Sequence, residues 1–235
     1  MEIEKKKQVV PLPYPYYYIP VLVIALAGLA VSIYLAVSHY RVHADPGYSS
    51  FCAITRALNC DTVSSSPYAV FLDVPVALWG VIGYGIILFV LIVAGGRKAD
   101  KKRLWPALFW ILLIYSISSI ILAGISSFLI HSYCIMCIIT YLVNFSLLYY
   151  AWFINKRFGD AGLFKGLAGD IRFCRNLKKV FVPAIAGVLL ISGGLIAGMP
   201  EYWRVDPPPL NQSIPHGITQ DGHPWIGAKD PELVI

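Results

Sequence analysis

Long unbroken apolar runs, rather than short alternations of apolar and polar residues, organise this chain. Five of them occupy roughly residues 17–38, 74–94, 104–129, 132–154 and 180–199. A bilayer core of about 30 Å is crossed by about 20 mostly apolar residues in a helix rising about 1.5 Å per residue. Each run therefore predicts a membrane-spanning helix, and the expected fold class is an all-α integral membrane protein. The third and fourth runs are separated only by a short turn near residues 129–133, which makes them antiparallel neighbours. The first run is too long for a signal peptide and no small-residue cleavage site follows it, so it reads as an anchor. Small residues recur at four-residue spacing: Gly28, Ser32 and Ala36 in the first run, Ser119, Ala123 and Ser127 in the third, Gly194 and Gly198 in the fifth. Such rows let helix backbones approach closely in lipid. The serines of the third run are also compatible with a polar pathway.

Composition agrees with the runs: 57% of residues are hydrophobic and 14% charged, where a soluble domain carries about a quarter charged residues. The net charge of +6 raises nucleic acid as a partner until the charges are sorted by position. Lys5–Lys7 precede the first run, Arg97–Arg103 lie between the second and third, and Lys156–Lys179 lie between the fourth and fifth. Of the 19 basic residues only Arg41, Arg56, Arg204 and Lys229 fall elsewhere. The positive-inside rule then predicts a multi-pass protein of the cell membrane with its N-terminal segment 1–16 and basic loop 156–179 in the cytoplasm. The loop 39–73 and the tail 200–235 are expected outside. The basic balance reflects topology and gives no reason to invoke nucleic acid; the lipid bilayer is the implied partner.

Sidedness sorts the five cysteines. Cys52 and Cys60 fall in the outer loop, Cys134 and Cys137 at the outer start of the fourth run, and Cys174 in the inner loop. Disulfides persist outside and are rare in the cytoplasm, so four cysteines form a redox set and Cys174 is a bystander. Cys134-Ile-Met-Cys137 is a CxxC whose sulfurs share one helix face. The positive end of a helix stabilises thiolate and lowers thiol pKa. Cys52 and Cys60 sit on a loop able to swing. One mobile pair beside one fixed pair suits an electron relay by thiol–disulfide exchange. Static disulfides that staple the loop, or a zinc site built with His39, His43 and His131, are the competing readings, and three pairings of the four thiols are open.

The string Cys52-Ala-Ile-Thr-Arg-Ala-Leu-Asn-Cys60, then Ser64-Ser65-Ser66 and Val74-Pro75, resembles the vitamin K epoxide reductase family. So does Cys134-Ile-Met-Cys137-Ile-Ile-Thr-Tyr141 with Asn144. The resemblance covers about residues 17–155. It implies a catalytic four-helix transmembrane bundle over that range, with the fifth helix, 180–199, outside the catalytic core. It further implies a thiol–quinone oxidoreductase. Cys52 would exchange with an outside thioredoxin-like partner, Cys60 would pair with Cys134, and Cys137 would reduce a quinone of the ubiquinone or menaquinone type. Ser66 and Tyr141 match the family's quinone-contacting hydroxyls, which would stabilise developing negative charge. The output would be disulfide formation in exported proteins. The same relay would also serve reduction of a vitamin K-type naphthoquinone or its epoxide. Many microbial members continue into a thioredoxin-like domain. Here residues 200–235 read as a linker containing Pro207-Pro208-Pro209, and His223–Ile235 resembles the lead-in to such a domain.

Overall fold

The computed structural model describes residues 13–45, 47–55, 57–95, 104–158, 162–176, 178–198, 202–203, 216–218 and 224–226. Among the described residues four helices are long and apolar enough to cross a membrane: α1 (Pro15–Ala44), α3 (Val76–Gly95), α4 (Trp105–Ile125, prolonged by a π-type turn Ser126–Ile130) and α5 (Ile135–Phe158). They match the first four apolar runs. Proline stands in the first turn of both α1 and α4, where a missing N–H costs nothing because that donor lacks an intrahelical acceptor. α1 packs on α3 and α5, and α4 packs on α5. Their shared core is Val21 and Ala25 of α1, Tyr84, Ile87 and Leu91 of α3, Trp105, Leu108 and Leu112 of α4, and Leu147, Ala151 and Ile154 of α5.

Close packing carries the bundle where lipid removes the hydrophobic drive between helices. Gly28 of α1 lies against the Tyr84 ring, and a Cβ added at Gly80 would sit 2.8 Å from Ser32 Oγ, so two members of the expected small-residue row in α1 do face a neighbour. Ser119 is both packed and polar. Its hydroxyl donates to the Tyr115 carbonyl at 2.9 Å and receives a hydrogen bond from Asn144 Nδ2 at 2.9 Å, while Tyr84 donates to Asn144 Oδ1 at 2.7 Å. This chain of bonds ties α3, α4 and α5 together in the buried middle of the bundle. In the fifth run, by contrast, a Cβ added at Gly194 would meet no described atom within 4 Å. Gly83 is the tightest seat: a Cβ there would collide with the Tyr115 ring and hydroxyl, and that hydroxyl donates to the Trp79 carbonyl at 3.1 Å. Gly83→Val should therefore destabilise the bundle by about 1–3 kcal/mol, the usual cost of overpacking. Chemical unfolding in detergent, read by helicity, is the check, and an unchanged midpoint would mean that the contact is not tight.

Two expected loops are structured. Residues 39–73 were expected as an outer loop after a span ending at 38. Instead α1 continues through Arg41 and His43 to Ala44, since Ser38 and His39 are still buried by their neighbours. The chain then forms α2 (Cys60–Ser64), a 3-10 turn (Pro67–Ala69) and a small hairpin of β1 (Val70–Phe71) and β2 (Val74–Pro75). The basic segment 156–179 likewise holds α6 (Leu163–Asn176). α6 is amphipathic rather than apolar, so a search for apolar runs passes over it. α7 (Lys178–Gly198) accommodates the fifth run. α6 and the Phe181–Gly194 part of α7 are bent by 96° relative to one another and count as a fifth span only when taken as one.

α6 completes the α4 N-terminus. Leu104, at the N-cap, is left-handed (φ 71°) and offers no capping side chain. The buried Asp170 of α6 takes that role, accepting from Leu104 N–H at 3.0 Å and Ala107 N–H at 3.1 Å. A carboxylate at this position satisfies orphan donors and opposes the helix dipole.

Residues 201–235 form a separate unit. In it β3 (His216–Ile218) pairs antiparallel with β4 (Pro224–Ile226), Gly217 opposite Trp225. The three prolines expected to form a linker, and the stretch following Ile226, lie outside the described residues.

Candidate functional site

Backbone pairing at the end of the bundle assembles the cysteines. The chain after Cys52 doubles back: Ile54 N–H and Thr55 N–H both reach the Leu58 carbonyl, at 3.0 and 3.1 Å, and Ala53 bridges antiparallel to Asn59. One step further along this ladder Cys52 faces Cys60, and the two form a disulfide with their Cα atoms 5.6 Å apart. A second pairing joins the same loop to the turn before α5. Leu58 bridges in parallel to Tyr133; Tyr133 N–H donates to the Ala57 carbonyl at 2.8 Å and Asn59 N–H to the Tyr133 carbonyl at 2.9 Å. This register lays the strand that leads into Cys60 alongside the residue that precedes Cys134. Cys52, Cys60 and Cys134 form one buried cluster, closed by Leu35, Val63, Met136 and Cys137.

Local capping fixes both cysteine-bearing helices. The Asn59 side chain accepts from Asp61 N–H at 2.9 Å and Thr62 N–H at 3.1 Å, an N-cap that starts α2 at Cys60. Cys134 has the same function for α5. Its carbonyl accepts from Ile138 N–H at 3.0 Å, and its Sγ accepts from Cys137 N–H at 3.2 Å. The turn leading to it is held by Ser126, whose hydroxyl donates to the Ser132 carbonyl, and by His131 in a left-handed conformation (φ 57°).

Cys134 and Cys137 are free thiols. The Cys134 thiol is held below its ordinary range, chiefly by its hydrogen bond with the Cys137 thiol and then by the N–H groups of Cys137 and Met136. Burial and the nearby Asp61 carboxylate push it the other way. A thiolate capping a helix is the state that leaves readily in disulfide exchange.

The loop pair is not a free-swinging segment as its spacing suggested. Cys52 is 0% and Cys60 1% exposed, because the loop is pinned on both sides. Ser50 N–H donates to Asp61 Oδ2 at 2.9 Å, Ser50 Oγ contacts Cys52 Sγ at 3.4 Å, and the Phe51 ring packs on Tyr34 with centroids 5.1 Å apart. Sequence reasoning missed Asp61, Ser50 and Tyr133 altogether, and missed the capping role of Asn59. The signal for the last was present, since Asn directly before Cys-Asp-Thr is a helix-start pattern.

The other expected site residues are divided. Tyr141 lies one turn beyond Cys137 on α5, half-buried and within electrostatic range of both thiols. Ser66 donates its hydroxyl to the Val63 carbonyl at 2.7 Å, holding the end of α2, so its hydrogen is committed locally. Cys174 packs against the core on α6, at the end of α4 remote from Cys134. Among the described residues no three His, Cys, Asp or Glu side chains group to hold a metal ion. His39 and His43 stack on one another at 4.6 Å.

Two helix ends, one capped by Asn59 and one by Cys134, are thus brought together so that a disulfide and a thiol pair share one buried cluster at the end of a membrane bundle. The family model of the vitamin K epoxide reductase family matches residues 19–152, which is more than half of the chain and takes in all four clustered cysteines. The chain therefore belongs to the vitamin K epoxide reductase family, whose members are membrane thiol oxidoreductases.

Proposed function

We propose that this protein carries electrons from an extracytoplasmic thioredoxin-like partner through Cys52/Cys60 and Cys134/Cys137 to a quinone in the membrane, and so supports disulfide formation in exported proteins. The observation that carries this reading is the single buried cluster that holds Cys52, Cys60 and Cys134, with Cys137 packed against it. Relay between two cysteine pairs needs a member of each within reach of the other, and a cluster that holds both loop cysteines and Cys134, closed by the pairing of residues 57–59 with Tyr133, supports this.

The chemistry balances by exchange alone. A dithiol partner reduces the Cys52–Cys60 disulfide and leaves as its own disulfide. The Cys60 thiolate attacks Cys134 of an oxidised Cys134–Cys137 pair, forms the Cys60–Cys134 bond and expels Cys137 thiolate. Cys52 then attacks Cys60, re-forms the loop disulfide and expels Cys134 thiolate. A bonded Cys52–Cys60 with free Cys134 and Cys137 is what this inner transfer leaves behind, and it is the pattern present here. The capped position of Cys134 favours it as the leaving group.

Family members generally use quinones. The residues at the inner pair fit one: Cys137 is half-buried with Tyr141 on the next turn of the same helix. Tyr141 would hold a ring oxygen. Ser66 would offer a lone pair, its proton being engaged by Val63. When bound, the quinone supplies the two-electron, two-proton sink that allows Cys134 and Cys137 to re-form their disulfide. Net direction follows relative potentials. The charge asymmetry supports a cell-membrane topology with the N-terminus inside and the redox cysteines and C-terminus outside.

Trapping tests the order of exchange. In a Cys52→Ser/Cys137→Ser protein neither resolving thiol remains, and mass spectrometry of the oxidised protein should find Cys60 bonded to Cys134. Recovery of both cysteines as free thiols after mild oxidation would sink the relay.

A further inference from the structure

At the end of the bundle remote from the four clustered cysteines, α6 has two distinct faces. Its inner face is committed: Asp170 caps α4 through Leu104 and Ala107, a Cβ at Gly166 would lie 2.6 Å from Pro106, and Leu163, Leu167 and Cys174 are partly buried. Its outer face carries Phe164 and Ile171, which are 76% and 62% exposed. Seven residues apart on a helix, they form a single row. The Phe164 ring lies against that of Trp110, with centroids 4.9 Å apart. Lys165, Arg172 and Arg175 are exposed next to this row, and Lys178 and Lys179 are exposed where α7 begins. The one acidic residue of α6, Asp170, is occupied in capping.

We propose that α6 is an interfacial helix that lies on the membrane surface, with Phe164 and Ile171 inserted at the level of the acyl boundary and Lys165, Arg172 and Arg175 held against the headgroups of anionic phospholipids. Three independent features converge on this. The axes of α6 and the Phe181–Gly194 part of α7 differ by 96°, so if α7 follows the membrane normal, α6 runs along the surface. The exposed row is aromatic and aliphatic, as lipid insertion requires. The flanking charges are all positive, complementary to anionic headgroups, and long enough to reach them while their stems stay in the apolar layer. Because α6 also caps α4, lipid contact would hold the base of the bundle in place. The proposal does not depend on the redox reading.

Spin labels at single cysteines test it, placed by Ile171→Cys or Arg172→Cys in a full-length chain otherwise free of cysteine and reconstituted in phosphatidylglycerol–phosphatidylcholine vesicles. Position 171 should be several-fold more accessible to oxygen than to a water-soluble nickel chelate, and position 172 the reverse. Equal chelate access at both positions would mean that α6 stands in water and would overturn the proposal. Shielding of position 171 from both reagents would mean that a protein covers the face, and would overturn it too. Headgroup selectivity has its own readout that keeps the native cysteines. Lys165→Gln/Arg172→Gln/Arg175→Gln should retain several-fold less phosphatidylglycerol than wild type when both are extracted from mixed vesicles. Equal retention would overturn the anionic-lipid assignment.

Discussion

Cys137→Ala is expected to reduce sustained quinone reduction by a reduced thioredoxin-like partner to background, a fall on the order of 10³-fold or more. The reason is stoichiometric as well as chemical. Without Cys137 the inner pair has no disulfide state, so Cys134 has no partner from which to release two electrons. The Cys52–Cys60 disulfide is untouched by this change, so the variant should still oxidise one equivalent of partner dithiol per protein and then stop. Wild type should continue until quinone is exhausted. Cys174→Ala is the control: that residue sits on α6 at the far end of α4 and should turn over normally. Quinone absorbance follows the sustained phase, and thiol titration of the partner counts the single equivalent. Undiminished turnover in Cys137→Ala would remove the inner pair from the mechanism. Absence of the single equivalent would remove the loop pair.

What the sequence made legible follows from the range of each interaction. The spanning helices were readable because lipid demands long apolar runs, a property of contiguous residues. Their ends were not, since the persistence of α1 to Ala44 depends on burial of Ser38 and His39 against neighbours remote in the chain. α6 escaped notice for the opposite reason: an amphipathic helix among seven basic residues has no apolar run, and only the row of buried Asp170 with half-buried Leu163, Leu167 and Cys174 betrays it. The four cysteines stood out by spacing and side. Their clustering did not, because Cys52, Cys60 and Cys134 are gathered by main-chain bonds between residues 57–59 and 133, and main-chain bonds leave little trace in side-chain identity. The same holds for the occlusion of Cys52. Its seven-residue spacing from Cys60 suggested a loose loop, and only the folded chain reveals Ser50 bound to Asp61.

That occlusion yields the second large effect. Cys52 and Cys60 have essentially no solvent exposure, so an attacking thiolate reaches their disulfide only after the loop opens, and the opening equilibrium sets the rate. Asp61 is a side-chain latch on that loop, holding Ser50 N–H at 2.9 Å. A hydrogen bond to a charged group contributes about 1.5–3 kcal/mol net, and each 1.4 kcal/mol is about tenfold in an equilibrium. Asp61→Ala should therefore raise the rate of Cys52–Cys60 reduction by dithiothreitol about 10- to 100-fold. Asp61→Asn keeps an acceptor oxygen and should fall between the two. The two variants also separate the latch from the charge. Asp61 pushes the Cys134 thiol up, so either substitution should lower that thiol's pKa further, seen as thiolate absorbance persisting to more acidic pH. If Asp61→Ala moves the thiolate titration but leaves the reduction rate at the wild-type value, Asp61 acts on Cys134 alone and the loop is held by its pairing with Tyr133. If both move as stated, the residue after Cys60 governs when the outer disulfide opens and how readily the inner thiol leaves, and so ties access by the partner to transfer within the protein.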